Sequence, residues 1–131
     1  MLDISTRHKE VMFMGQVNNQ FYRGYEGEKE IQIFTSKEKM VIWDGFFNDI
    51  MEQFKPAEEG WIGIAYYYHL YLGWCDGKAW KIPNIDEFLQ QFRQLDITNC
   101  RFEESKKVLA DICNMLCLAI QENENVWIAE G

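Results

Sequence analysis

Residues 43–54 read WDGFFNDIMEQF and carry the clearest helix signal in the sequence. Its large apolar side chains recur at steps of three and four, at Trp43, Phe46, Phe47, Ile50, Met51 and Phe54. That spacing is typical of an amphipathic helix with one apolar stripe facing a core. Asp44 is a candidate cap for this helix. Lys55-Pro56 predicts its end, because proline disfavours helical geometry in the residue before it.

The sequence before this helix predicts strands. Residues 10–17 and 20–25 flank Asn18-Asn19, a pair that tolerates the positive φ of a tight hairpin turn. In residues 30–35 apolar and polar side chains alternate, and residues 40–43 are a further short strand candidate. We therefore expect a hairpin and two more strands ahead of the first helix.

Residues 61–75, WIGIAYYYHLYLGWC, allow two interpretations. As a strand, the stretch has large residues on one side and smaller or amphipathic ones on the other, which suits a sheet with one buried face. As a helix, it has a suitable length, but its tyrosines and glycines are poor helix formers. We favour the strand. Asp76-Gly77 then predicts a tight turn that returns through residues 78–82.

Two more helices are predicted in the last third of the chain. Asn84, with Glu87 three residues later, is close to a capping box for a helix over residues 85–95. A longer apolar stripe spans residues 103–123, and residues 125–129 are a final strand candidate. The order of elements predicts an α+β fold, an antiparallel sheet with about three helices packed on one face: 44–54, 85–95 and 103–123.

Composition bounds the class of protein. The 131 residues are 47% hydrophobic and 15% aromatic, enough for one packed core, so we expect a single domain over residues 1–131. Against 13 basic side chains stand 21 acidic ones, which gives a formal net charge of −8. A net negative field repels phosphate backbones, so we expect no nucleic-acid partner. A basic protein partner is compatible with this charge.

The sequence also predicts the compartment. The stretch MLDISTRHKE lacks the apolar core of a signal peptide, and no apolar run reaches about 18 residues. The cysteines lack the spacing of a small secreted domain: Cys75, Cys100, Cys113 and Cys117. We therefore expect a cytoplasmic protein with free thiols and no membrane partner.

No residue pattern indicates a catalytic, metal or cofactor site. Cys113 and Cys117 lie four apart on a predicted helix, but a metal site needs two more ligands, and no CxxC or HxxxH pair supplies them. The sequence has no nucleophile-elbow pattern and no glycine-rich phosphate loop. We expect a protein that is not an enzyme and binds no cofactor or metal. The alternative is a small hydrolase that uses His69, which lies among tyrosines, with nearby carboxylates.

Candidate contacts for a partner protein lie in predicted loops. The acidic pairs Asp86-Glu87 and Glu103-Glu104 fall at predicted helix starts, where negative charge interacts favourably with the helix dipole. Glu58-Glu59 has no such explanation. The stretch GWCDGKAWKI at 73–82 places two tryptophans beside a tight turn, where they can be binding hot spots or can close the core. The predicted partner-binding residues are Glu58, Glu59, Trp74, Asp76 and Trp80.

Residues 43–128 resemble the small bacterial immunity proteins of contact-dependent inhibition and related polymorphic-toxin systems. The resembling stretches are WDGFFNDIMEQF, GWCDGKAWKIPNIDEFLQQF and a long helix that closes on NENVWIAE, about two-thirds of the chain. They match the family in character and order and contain no invariant motif. The resemblance implies a small, acidic, cytosolic α+β protein that neutralises one cognate toxin, often a nuclease. It carries over no catalytic residue.

The function expected from these observations is binding of a basic toxin in a way that covers its active site. Two related interpretations stay open beside it. One is an inhibitor of a host nuclease carried by a phage or mobile element. The other is a general protein-binding adaptor.

Overall fold

In the computed structural model, residues 15–56, 60, 63–69 and 79–130 are described, and they contain five strands and four helices. The strands are β1 (Gln16–Phe21), β2 (Glu30–Phe34), β3 (Glu38–Trp43), β4 (Trp80–Lys81) and β5 (Trp127–Glu130). The helices are α1 (Asp44–Met51), α2 (Gly63–His69), α3 (Ile85–Arg93) and α4 (Glu103–Glu122). The α+β class predicted from the sequence is confirmed.

The five strands form one mixed sheet in the order β1-β3-β2-β5-β4. Three of the four pairings are antiparallel, as predicted: β2 with β3, β2 with β5, and β4 with β5. The fourth is parallel, because β1 runs alongside β3 in the same direction, with Gln16 opposite Glu38. Among the described strands, β1 thereby lies at one edge of the sheet.

The hairpin predicted at Asn18-Asn19 is wrong. β1 runs through both asparagines, and the turns come after Phe21. Pairing with the distant β3 prevails over the local turn preference of asparagine, which is only a weak constraint. The local chemistry of Asn18 shows as an irregularity instead: its side-chain oxygen accepts the N–H of Gln20 at 3.1 Å. The register against β3 shifts between Asn18 and Phe21. Residues 10–14 lie outside the described residues.

The strand predicted for residues 61–75 is wrong where the structure describes it, because Gly63–His69 is the helix α2. Ile64, Tyr67 and Tyr68 follow the i, i+3, i+4 spacing and pack on the core, whereas Tyr66 is 40% exposed. The side-chain oxygen of Gln91 in α3 accepts the N–H of Ile64 at 3.0 Å and so satisfies a donor at the start of α2. Residues 61–62 and 70–78, with the predicted Asp76-Gly77 turn, lie outside the described part.

The three other helices confirm the predictions, and each ends within three residues of the predicted end. The side-chain oxygen of Asn84 accepts the N–H of Glu87 at 3.0 Å, so the predicted cap of α3 is confirmed. The predicted cap of α1 is wrong, because Trp43 holds the N-cap position and Asp44 is the first helical residue.

The helix stripes bury against one face of the sheet. Alternate residues of β2, β3 and β5 supply the sheet side of the core: Ile31, Ile33, Met40, Ile42 and Ile128. The helices supply the rest, including Phe47, Ile50, Phe88, Ile112 and Leu116. By the same alternation, Phe34, Lys39 and Trp127 lie on the opposite face.

Candidate interaction surfaces

Of the five predicted contact residues, Trp80 alone lies in the described part of the chain; Glu58, Glu59, Trp74 and Asp76 lie outside it. Trp80 begins β4 and is half-buried. Its ring centroid lies 4.8 Å from that of Tyr67 and 6.0 Å from that of Phe88. Trp80 therefore packs at the margin of the core. Its contact with a partner stays a prediction.

Asp49 is the one buried acidic residue among those described, with 3% of its surface exposed. Its carboxylate accepts hydrogen bonds from the N–H groups of Arg101 (2.9 Å) and Phe102 (3.0 Å) and from the Ser105 hydroxyl (2.7 Å). Burial raises the pKa of Asp49, but these hydrogen bonds outweigh burial and lower the pKa below its ordinary value. Two of these donors immediately precede α4 and the third lies in its first turn, so Asp49 in α1 fixes the start of α4. We assign it a structural role.

Two of the three cysteines in the described ranges have thiols that are held protonated. Cys100, Cys113 and Cys117 are free and half-buried. Burial raises the pKa of the Cys113 thiol. Burial and the nearby Asp49 raise that of Cys100. A raised pKa keeps a thiol protonated, which is the opposite of what a nucleophilic cysteine requires. Cys100 and Cys113 therefore behave as small apolar groups.

A cleft of about 340 Å³ is bordered by residues of α2 and α3 and by the segment after α1. Four side-chain amides line it together with apolar groups: Gln53, Gln91, Gln94 and Asn99. Its carboxylate, Asp96, accepts bonds from the Thr98 hydroxyl at 2.6 Å and the Thr98 N–H at 3.0 Å, and these lower its pKa. An ionised, locally bonded carboxylate is a poor general acid at neutral pH. The described lining pairs no nucleophile with a base.

A smaller groove, of about 230 Å³, lies beside β1 and α4. Apolar side chains from β3 and α4 line part of it: Met40, Met115 and Leu118. Polar side chains line the rest: Asn18, Glu38, Asp111 and Asn114. The amides of Asn18 and Gln20 each lie 3.5 Å from one oxygen of Asp111, which is the long limit of a hydrogen bond. The groove thus joins an apolar patch to two carboxylates.

The edge of β1 next to this groove is open among the described strands, because β1 pairs there with β3 alone. The N–H of Gln16 donates to the carbonyl of Lys37, on the β3 side, at 2.9 Å. Since alternate residues of a parallel strand bond to the same neighbour, Val17 directs its own N–H and C=O away from β3. Val17 is 55% exposed. β1 (QVNNQF) contains none of the charged residues or prolines that protect many edge strands.

No helix within the described ranges has the length and apolar character to cross a membrane. In the same residues, no three His, Cys, Asp or Glu side chains are grouped so that they could hold a metal. Comparisons of the chain with protein-family models, curated proteins and solved structures gave no match. The resemblance to immunity proteins stays a prediction, and the function is argued from the surfaces described above.

Proposed function

We propose that this protein is an inhibitor that binds a basic partner protein and covers its active site, in the manner of an immunity protein with its cognate bacterial toxin. The observation that carries the proposal is the position of the negative charge. The chain has a net charge of −8, and Asp49 is the only acidic side chain buried in the described residues. The acid excess of the described part therefore faces solvent, where it can attract a basic protein.

The ion pairs at the surface do not cancel this field. The three ion pairs among the described residues are Lys37–Glu122, Arg101–Glu52 and Lys106–Glu103, all exposed. Each pairs one base with one acid, so the excess of acids over bases is unchanged. Exposed pairs of this kind are also worth little individually. The net negative field of the surface therefore remains available to attract a basic partner.

The site chemistry favours binding over catalysis. Neither of the two cavities described above joins a nucleophile to a base, and the pKa of the half-buried thiol of Cys113 is raised. Charge complementarity speeds the encounter of an inhibitor with its target, and buried rings slow its dissociation. An inhibitor carried by a phage or mobile element, or an adaptor, would use the same surface chemistry and would differ in the identity of the partner. The proposal places the protein in the cytoplasm, where thiols stay reduced.

The test is capture of the partner from the native host, followed by co-expression. A tagged protein is purified at low ionic strength, and the retained partner is identified and eluted with salt. We expect one basic protein whose toxicity is suppressed by co-expression of this chain. If the gene directly upstream encodes a large secreted protein, that protein is the first candidate toxin to test. If that toxin and any captured protein form no complex at micromolar concentration, and co-expression gives no protection, the inhibitor proposal is wrong.

A further inference from the structure

We infer that the open edge of β1 and the groove beside it bind an extended segment of the partner, which joins the sheet as an added strand and places a lysine or arginine side chain in the groove. The inference rests on the proposed function in one respect, that the occupant belongs to a protein partner. It adds where that partner binds and which chemistry the edge recognises.

The backbone of β1 supplies the first part of the site. Val17 directs one donor and one acceptor away from β3, and an extended chain would lie about 4.8 Å beyond β1 to meet them. Added strands of this kind obtain affinity from main-chain hydrogen bonds. The carbonyl of Asn19 already accepts the N–H groups of Tyr22 (3.0 Å) and Arg23 (3.2 Å). The register shift after Asn18 therefore limits the added pairing to a short segment around Val17.

The groove supplies side-chain selectivity. Alternate side chains of an added strand point to the face of the sheet on which α4 lies, because side chains alternate along a strand. There the stem of a lysine or arginine can lie along Met115 and Leu118, and its cationic end can reach Glu38 and Asp111. The loose 3.5 Å bonds of Asp111 leave its carboxylate able to accept a stronger, charged donor.

Exposed apolar groups mark the same place. The described residues include four large hydrophobic side chains that are substantially exposed, and two of them, Val17 at 55% and Leu118 at 39%, flank the β1 edge. Val17 lies on the sheet face opposite the groove and Leu118 lines the groove. An added strand would shield both sides of the edge at once.

A second copy of this chain is the less suitable occupant. Its β1 would bring glutamine, asparagine, valine and phenylalanine to the edge, and no cation to the groove. Two chains of charge −8 would also repel each other. A basic extended segment avoids both difficulties.

The first test uses synthetic peptides and the whole protein. The probe is a capped seven-residue peptide of alternating threonine and valine with a central lysine; matched peptides carry norleucine or glutamate there. Titration calorimetry measures affinity, and amide NMR shifts identify the strand. We expect the lysine peptide to shift the Val17 and Asn18 amides and to bind at least about tenfold more tightly than the glutamate peptide. Equal affinity for lysine and glutamate peptides would overturn the assignment of the groove.

Variants of β1 test the edge itself. Val17→Pro removes an N–H that the ladder to β3 does not use, and proline is tolerated on edge strands. Val17→Thr is the matched control, because it keeps the N–H. We expect Val17→Pro to abolish binding of the lysine peptide and Val17→Thr to retain it. Equal binding by both variants would show that the edge is not the site.

Variants of the groove test the site independently, in case Val17→Pro disturbs folding. Leu118→Lys changes an exposed position of α4 and places a cation in the groove without touching the strand. We expect Leu118→Lys to lower the affinity for the lysine peptide by about tenfold or more and to lower the affinity for the norleucine peptide less. Glu38→Gln and Asp111→Asn, made as two single variants, should each reduce the preference for the lysine peptide over the norleucine peptide. Full retention of that preference in both of these variants would contradict the inference.

The outcomes separate this inference from the proposed function. Peptide binding without protection against any toxin would support binding at the β1 edge and contradict the inhibitor function. Protection and complex formation that survive Val17→Pro would keep the inhibitor and discard the edge. If the protein sediments as a dimer that Val17→Pro dissociates and Val17→Thr does not, the occupant is a second copy and the inference is wrong.

Discussion

The carboxylate of Asp49 in α1 lies 2.7 Å from the hydroxyl of Ser105 in α4, and both side chains are buried. The same carboxylate accepts two N–H groups that precede α4. The first N–H groups of a helix lack partners within it, so a buried helix start needs an acceptor from elsewhere. Phe102, which holds the N-cap position of α4, makes no side-chain cap bond. Asp49 supplies an acceptor for the two N–H groups at the entry to α4 and for the Ser105 hydroxyl, and it joins the two helices.

We predict that Asp49→Ala lowers the free energy of unfolding by about 2–4 kcal/mol, because it leaves buried donors at the start of α4 unsatisfied. Urea denaturation at neutral pH measures the loss. The control is Glu52→Ala, which removes the exposed ion pair with Arg101 at 3.2 Å and should cost less than about 1 kcal/mol. Equal losses for the two variants would contradict the role assigned to Asp49.

The lowered pKa of Asp49 also predicts a pH dependence. Its folded pKa lies below the ordinary value of 3.8, so the unfolded chain takes up the proton first as the pH falls. The stabilisation by ionised Asp49 is thus complete above that ordinary value and is lost as the pH falls through the folded pKa. Asp49→Asn should be less stable than the natural protein at pH 6, and this difference in free energy of unfolding should shrink as the pH falls to 3. Urea denaturation measures the difference at each pH. A constant deficit over that range would show that the ionisation of Asp49 does not stabilise the fold.

Gly45 is required by the ring of Trp43. A β-carbon at position 45 would overlap the six-membered part of that ring. The ring is held in place, because it stacks on Tyr25 with centroids 4.2 Å apart and its Nε1 donates to Glu28 at 2.9 Å. Helix propensity alone would favour alanine by up to about 1 kcal/mol. The overlap reverses that preference.

We therefore predict that Gly45→Ala destabilises the protein by about 1–3 kcal/mol, the usual range for overpacking. The matched control is Asn48→Ala, one turn later in α1, which should be neutral or slightly stabilising because alanine is the better helix former. Thermal unfolding, with tryptophan fluorescence as a second readout, distinguishes them. A stabilised Gly45→Ala variant would mean that the Trp43 ring moves aside freely.

The core stripes give a further prediction. Phe47 and Leu116 are at most 1% exposed, so replacing either by alanine should cost roughly 2–5 kcal/mol. Leu118→Ala is the control on the same helix as Leu116, since Leu118 is 39% exposed and should change stability by less than about 1 kcal/mol. A loss below about 1 kcal/mol at Phe47 or Leu116 would remove that residue from the core.

How far the sequence predicts the structure depends on how local each signal is. The stripes of α1, α3 and α4 are local, and the sequence locates these helices to within three residues. Residues 63–69 are almost all apolar or aromatic, so they fit both the strand and the helix period, and only packing distinguishes the two. The sequence predicts a hairpin within β1 instead of its pairing with β3, because β3 lies about twenty residues away and the Asn-Asn pair gives a competing turn signal.

The surfaces were predicted less well than the helices for the same physical reason. Asp49 meets residues 101–105, and Asn18 meets Asp111, and no local pattern identifies these distant partners. One signal was present in each case. An aspartate between the apolar Phe47 and Ile50 indicates a buried carboxylate that needs donors, and QVNNQF is a strand without protecting charges.

The last prediction concerns the acidic residues proposed from the sequence to steer the partner. Reversing Glu58, Glu59 and Asp76 to lysine should slow association with the partner by about tenfold or more at low salt, and added salt should shrink the effect, because screening weakens attraction between exposed charges. Stopped-flow kinetics measures the association rate. Asp86, Glu87 and Glu104, reversed to lysine, provide the same change in net charge at helix starts.

If the three predicted residues steer the partner locally, the control variant should slow association less than they do. Equal slowing by both sets of reversals would mean that the net charge of −8 steers the partner and that there is no local steering site.

Trp80→Ala should instead change the rate at which the partner dissociates. A ring in contact with the partner would chiefly raise the dissociation rate. Because Trp80 also packs on Phe88, the free energy of unfolding of the Trp80→Ala variant is measured in parallel. An unchanged dissociation rate in a folded Trp80→Ala variant would show that Trp80 packs at the margin of the core and does not contact the partner.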